Sequence, residues 1–144
     1  MSAARKFHIL LVEDSPTDRL IAVQALKSAA VQPTLSFAED GVDALAYLRA
    51  GADSAMVRPD LILLDLNLPR KDGRAVLEEI KADSDLRLIP VVVLTTSSAR
   101  EDVRGAYALH ANSYMTKPVD FSEFARSLSN LVNYWFEVVT LPTR

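Results

Sequence analysis

Leu61-Ile62-Leu63-Leu64-Asp65 decides the fold: four consecutive apolar side chains stop abruptly at a carboxylate. An unbroken apolar run of this length, with no polar alternation, suits a strand buried on both faces, as in a parallel sheet covered by helices. Two more runs read the same way, Ile9-Leu10-Leu11-Val12 and Val91-Val92-Val93-Leu94, and weaker strand signals cover residues 34–38 and 112–116. A helix-compatible segment follows each. The first is punctuated by Ser15 as cap, Pro16 at the first helical position and Asp18 in the first turn, and its apolar stripe is Ile21, Ala25, Leu26 and Ala29. Recurrence of apolar residues at i, i+3 and i+4 predicts further helices over 42–50, 74–82, 99–109 and 121 to about 135. Five strand–helix units predict an α/β domain with a doubly wound, five-stranded parallel sheet and helices on both faces.

Composition agrees with one soluble domain. A chain of 144 residues buries about two thirds of the surface exposed when unfolded, enough for a self-sufficient core. With 49% apolar and 24% charged residues, it lies outside the disordered and fibrous classes. The balance of 16 Lys plus Arg against 19 Asp plus Glu leaves a net charge of -3, so nucleic acid is not an expected partner. Zero cysteines exclude disulfides and thiolate metal sites, and His8 and His110 are too far apart in sequence for a local metal motif. No apolar run approaches the roughly 18 residues that span a bilayer, so no membrane association and a cytoplasmic location are expected.

Polar residues fall where this architecture puts ligands. Glu13 and Asp14 follow Val12, Asp65 follows Leu64, Thr95 and Thr96 follow Leu94, and Lys117 closes the strand signal containing Tyr114. The carboxyl ends of the strands in an open α/β sheet line one crevice, so these side chains are expected to converge. Taken singly, each acid also suits a helix cap or turn, Thr95 a cap, Lys117 a solvated charge and Tyr114 a cover for the core. Their shared edge sets them apart. Three carboxylates in one crevice call for a cation, and oxygen-only ligands favour Mg²⁺ or Mn²⁺. Together with Lys117 and the Thr95 hydroxyl, that inventory suits phosphoryl transfer to the Asp65 carboxylate.

Leu10-Leu11-Val12-Glu13-Asp14-Ser15, Leu63-Leu64-Asp65-Leu66-Asn67-Leu68-Pro69 with Asp72-Gly73, Val93-Leu94-Thr95-Thr96 and Tyr114-Met115-Thr116-Lys117-Pro118 together resemble the receiver domains of two-component response regulators, the CheY-like family. The likeness runs from about Lys6 to Leu131. It implies a flavodoxin-like strand order 2-1-3-4-5, a receiver domain over residues 1–131 and an extension over 132–144. It also implies roles: Asp65 as phosphoacceptor for a sensor histidine kinase; Glu13, Asp14, Asp65 and the Asn67 carbonyl as Mg²⁺ ligands; Thr95, Thr96 and Lys117 around the phosphoryl group; Tyr114 as the switch aromatic; and a cis peptide bond before Pro118. Leu94-Thr95-Thr96-Ser97 and Asn133-Tyr134-Trp135-Phe136 resemble the single-domain regulators paired with bacterial phytochromes, implying a bacteriophytochrome kinase as partner.

Past residue 131 only a short segment remains, too short for an output domain at the roughly 50-residue lower limit, so output through protein contact is expected. The segment concentrates Tyr134, Trp135 and Phe136, and aromatic clusters favour interfaces. A homodimer through these residues is the expectation; a tail folded back over its own fifth helix is the competing one. The functional alternative is a metal-dependent phosphatase of the haloacid dehalogenase type, which also pairs an Asp nucleophile with Thr and Lys. That signature needs a second carboxylate two residues after the nucleophile, where this chain has Asn67. A flavin-binding module is disfavoured because Glu13 and Asp14 would repel an anion after the first strand.

Overall fold

The computed structural model describes residues 6–50 and 57–142. Strands β1 (His8–Val12), β2 (Thr34–Ala38), β3 (Leu61–Leu64), β4 (Val91–Thr95) and β5 (Ser113–Thr116) alternate with helices α1 (Pro16–Lys27), α2 (Gly41–Arg49), α3 (Gly73–Ala82), α4 (Arg100–Ala108) and α5 (Phe121–Asn133). All neighbouring strands are parallel, in the expected order β2-β1-β3-β4-β5.

Odd and even positions of the central strands divide cleanly, as a period of two requires. Ile9, Leu11, Leu61, Leu63, Val92 and Leu94 face Ile21, Ala25 and Leu26 of α1 and Phe124, Leu128 and Val132 of α5. Leu10, Val12, Ile62, Leu64, Val91 and Val93 face Ala44 and Leu45 of α2, Val76, Leu77 and Ile80 of α3 and Ala106 of α4. Because both faces are covered, β1, β3 and β4 are buried along their whole length, which is why they lack polar alternation.

Helix starts follow local chemistry. Ser15, Asp40, Asp72 and Asp120 each accept a hydrogen bond from a backbone N–H in the first turn of the helix they precede. Gly73 opens α3 against the chain before it, where an added Cβ would lie 2.2 Å from the Asp65 carbonyl oxygen. Only a residue without a side chain allows that approach.

The expected boundary at 131/132 falls inside α5, which runs to Asn133 and passes into a π-helical turn over Tyr134–Val138. Phe136 is 7% exposed and stacks on Phe7, with ring centroids 4.3 Å apart and planes 14° from parallel. Where dimer surface was expected, the Phe136 ring closes the α1/α5 side of the core. Leu141 is buried in the same cluster. Tyr134 stays half exposed, edge-on to Trp135 at 5.6 Å, and the Asn133 side-chain oxygen accepts from the Ala30 amide at 3.1 Å, pinning the α1–β2 connection. Truncating Phe136→Ala should therefore cost about 3 kcal/mol in urea unfolding, while Tyr134→Ala should stay within about 0.5 kcal/mol.

At the opposite edge of the sheet from the strand carboxyl ends, His8 is buried in a hydroxyl cage. Its Nδ1 lies 2.6 Å from Thr34 Oγ1, and its Nε2 lies 2.8 Å from Ser36 Oγ and 3.1 Å from Tyr47 Oη. Burial lowers the His8 pKa below its ordinary 6.5, against the pull of the Asp60 charge. The folded chain therefore holds neutral imidazole while the unfolded chain binds a proton more readily, so this contribution is full above about pH 6.5 and is lost as pH falls toward the lowered folded value. The difference in denaturant midpoint between wild type and His8→Gln should therefore shift against wild type as pH falls through that range.

Candidate functional site

The sheet ladder itself assembles the site. The Glu13 amide donates to the Ala38 carbonyl at 3.0 Å, the Asp65 amide to Val12 at 3.1 Å and the Lys117 amide to Thr95 at 2.7 Å. Each bond extends strand pairing one residue beyond β1, β3 or β5. Glu13, Asp65, Thr95 and Lys117 therefore stand side by side at the carboxyl edge, all buried, as the positional rule for α/β sheets requires.

Lys117 is the hub of this edge. Its ammonium donates to Glu13 Oε1, to Asp18 Oδ2 at 2.8 Å and to Asp65 Oδ2 at 3.1 Å. Three donors meet three carboxylates, so its hydrogen-bonding capacity is filled. Burial alone would lower the Lys117 pKa, but hydrogen bonds to Asp18 and Glu13 outweigh it and hold the group above the ordinary lysine range. Burial pushes the Glu13 carboxyl up to about 7 even though the Lys117 hydrogen bond and charge pull it down. The remaining Glu13 oxygen accepts from the Ser15 amide at 3.2 Å, and Asp65 Oδ1 accepts from the Asn67 amide at 3.2 Å.

Glu13, Asp14 and Asp65 each offer a carboxylate oxygen, and these atoms lie within 4.8 Å of one another, with Asp14 exposed to solvent. Oxygen-only donors beside open water fit a divalent metal of the hard class. A cation there would also favour the ionised form of Glu13 that burial resists.

Thr95 Oγ1 is the sole buried side-chain polar atom without a hydrogen-bond partner among the described residues. An unpaired buried hydroxyl costs about 1–3 kcal/mol. Its neighbour Thr96 is exposed. Tyr114 turns its hydroxyl to the Ser97 carbonyl at 2.8 Å, so it is tied to the loop between β4 and α4 rather than merely covering the core. The expected cis bond before Pro118 is corrected: no cis peptide occurs among the described residues. The trans form is favoured by about 0.5–1 kcal/mol before proline, and with it the Lys117 ammonium already reaches all three of its carboxylates.

Sequence reading placed Asp18 only as a first-turn charge, and it missed Arg19, whose guanidinium donates to the Glu13 carbonyl at 3.1 Å. It also missed Arg74 and Asp102, joined at 2.8 Å between α3 and α4. Asp18 carried a usable signal, one α1 turn beyond the Asp14 position; the partners of Arg74 and Lys117 lie too far along the chain for local spacing to show.

A five-stranded 2-1-3-4-5 sheet with an acid cluster, a threonine and a lysine at its carboxyl edge is the architecture of a signalling receiver domain. Residues 9–129 match the response regulator receiver domain family, and the chain belongs to it. It is 47% identical over 135 residues to the response regulator Rcp1 of Synechocystis sp. (strain ATCC 27184 / PCC 6803 / Kazusa), covering 93% of this chain and 92% of that protein. The crystal structure of Mn²⁺-bound Rcp1 superposes with a TM-score of 0.88 at 45% identity, covering 95% of this chain and 99% of the other. The phosphorylated cyanobacterial phytochrome response regulator RcpA gives 0.91 at 43% identity, covering 96% and 100%. The haloacid dehalogenase alternative finds no support. No described helix is long and apolar enough to cross a membrane.

If the Thr95 hydroxyl lacks a partner, removing it should not destabilise the fold. Thr95→Val is expected to leave urea stability unchanged or raise it by up to about 1 kcal/mol, measured on unmodified protein.

Proposed function

We propose that this receiver takes a phosphoryl group on Asp65 from the phosphohistidine of a sensor histidine kinase. The observation that carries the reading is the placement of Asp65 Oδ2 3.1 Å from the Lys117 ammonium, with Glu13 and Asp14 beside it in one acid cluster. In the transfer, an Asp65 carboxylate oxygen bonds to phosphorus, the bond from phosphorus to the histidine nitrogen breaks, and that nitrogen keeps the electron pair. Glu13, Asp14, Asp65 and the Asn67 carbonyl would hold Mg²⁺, with Mn²⁺ as the substitute. Bound there, the ion supplies positive charge against the phosphoryl oxygens.

The chain's own groups do the rest. Lys117 donates to Asp65 before transfer, then exchanges carboxylate partners for a phosphoryl oxygen as about two negative charges arrive. Thr95, whose hydroxyl has no other partner, gains one in the new oxygen, with Thr96 beside it at the mouth of the crevice. Tyr114 follows the shift through its bond to Ser97 and changes the face formed by α4, β5 and α5. The chain thereby acts as a phosphoacceptor that also assists its own phosphorylation and dephosphorylation, and it signals by protein contact in the cytoplasm.

The likeness to a phytochrome response regulator supports a bacteriophytochrome as the cognate kinase. Self-association remains part of the proposal through the exposed Tyr134 and the adjoining Trp135, with Phe136 in a supporting role inside the fold. Acetyl phosphate with Mg²⁺ should label the wild-type chain on Asp65; Asp65→Asn and chelation of divalent ions should each abolish a stable acyl phosphate by mass spectrometry. Undiminished labelling in either case would refute the assignment.

A further inference from the structure

We propose that Arg74 and Asp102 form a clasp that holds the β4–α4 loop through Ser97 and thereby sets how readily Asp65 is phosphorylated; this rests on the reading of Asp65 as phosphoacceptor. The loop lies between Thr95, at the end of β4, and Arg100, where α4 begins.

Helix α4 has little else to hold it. Ala99 at its N-cap makes no side-chain cap, only Ala106 of its nine residues is buried, and Gly105 faces open space. Weakly anchored segments open at low cost. Its first turn is instead secured from outside. Ser97 Oγ donates to Asp102 Oδ2 at 2.5 Å and accepts from the Ala99 amide at 3.2 Å. The other Asp102 oxygen accepts from Arg74 at 2.8 Å, and Arg74 also reaches the Asp72 carboxylate at 3.3 Å. The hydrogen bond from Ser97, then that from Arg74, holds the Asp102 carboxyl below the ordinary carboxylate range, consistent with an ionised centre to the clasp.

Both ends of this chain of contacts touch the site. At one end Arg74 follows Gly73, which packs directly on the Asp65 backbone. At the other, the Ser97 carbonyl accepts the Tyr114 hydroxyl, and Thr95 with its unpaired Oγ1 lies two residues before Ser97. As the Thr95 side chain turns toward a phosphoryl oxygen, the loop that follows it shifts, and the clasp resists that shift. Arg74 and Asp102 are thus positioning residues that favour the unmodified arrangement. This route runs over α3 and α4, apart from the direct one through Thr95.

The test uses the full chain with acetyl phosphate and Mg²⁺, comparing wild type, Arg74→Ala, Asp102→Ala and the double variant. Each single variant should raise the initial rate of Asp65 labelling at least about fivefold, and the double variant should match the singles, because both remove one unit. In unmodified variants the Tyr114 amide resonance should move toward its position in phosphorylated wild type, a change that loss of stability alone would not produce. Single-variant rates within about twofold of wild type, slower rates, additive effects in the double variant or an unmoved Tyr114 resonance would overturn the clasp. Failure of wild type itself to label on Asp65 would instead bring down the underlying reading and the clasp with it.

Discussion

One ammonium faces three carboxylates at the carboxyl edge of the sheet. Lys117 satisfies Glu13, Asp18 and Asp65 at once, and the site depends on that arrangement. Carboxylates this close repel one another, and burial penalises each charge further. Burial raises the Glu13 pKa and the Asp65 charge adds to it, against the pull of Lys117. The excess of negative charge is not a defect to be packed away. It makes the crevice attractive to a divalent cation, and under the proposed function Lys117 would change partners when a more highly charged group arrives. A hydrophobic replacement of similar volume would stabilise the fold as well or better and would remove the chemistry.

The apolar strands make this concentration of charge possible. Because β1, β3 and β4 are buried on both faces, their register is fixed and their last residues emerge in line. A slip of one position would send the side chains of a whole strand to the wrong face. Pairing that continues one residue past the strands then fixes the backbone of Glu13, Asp65 and Lys117. The geometry of the site thus follows from sheet packing, with little left to flexible loops.

These are also the parts that the amino-acid order reveals. Unbroken runs such as Leu61 to Leu64 announce doubly covered strands, Ser15 before Pro16 announces a helix, and the polar residue after each run marks the crevice, since all three are local patterns. The burial of Phe136 against Phe7 was not legible, because an aromatic cluster near a terminus reads alike whether it turns outward or inward. Asp18 was legible as a helix-start charge but not as a partner of Lys117, 99 residues away. The peptide bond before Pro118 balances on so small an energy that residue identity alone does not fix its isomer.

Compliance around Asp65 is unequal, and that inequality gives a local charge change a direction. On one face, α1 and α5 bury Ile21, Leu26, Phe124, Leu128 and Val132, and the tail adds Phe136 and Leu141; moving that layer would open a close-packed interior. On the other face, α2 and α3 bury Ala44, Leu45, Val76, Leu77 and Ile80, while α4 contributes a single buried alanine and starts without a side-chain cap. Under the proposed function, Lys117 and the hydroxyl of Thr95 would meet new charge at Asp65, and the loop joining Thr95 to the weakly buried α4 would yield at the lowest cost. The proposed response would therefore run toward α4 and Tyr114, where packing is weakest. The same contrast explains why the few polar contacts on α4 carry weight beyond their number: where apolar burial is slight, single hydrogen bonds and one ion pair set the balance between two arrangements.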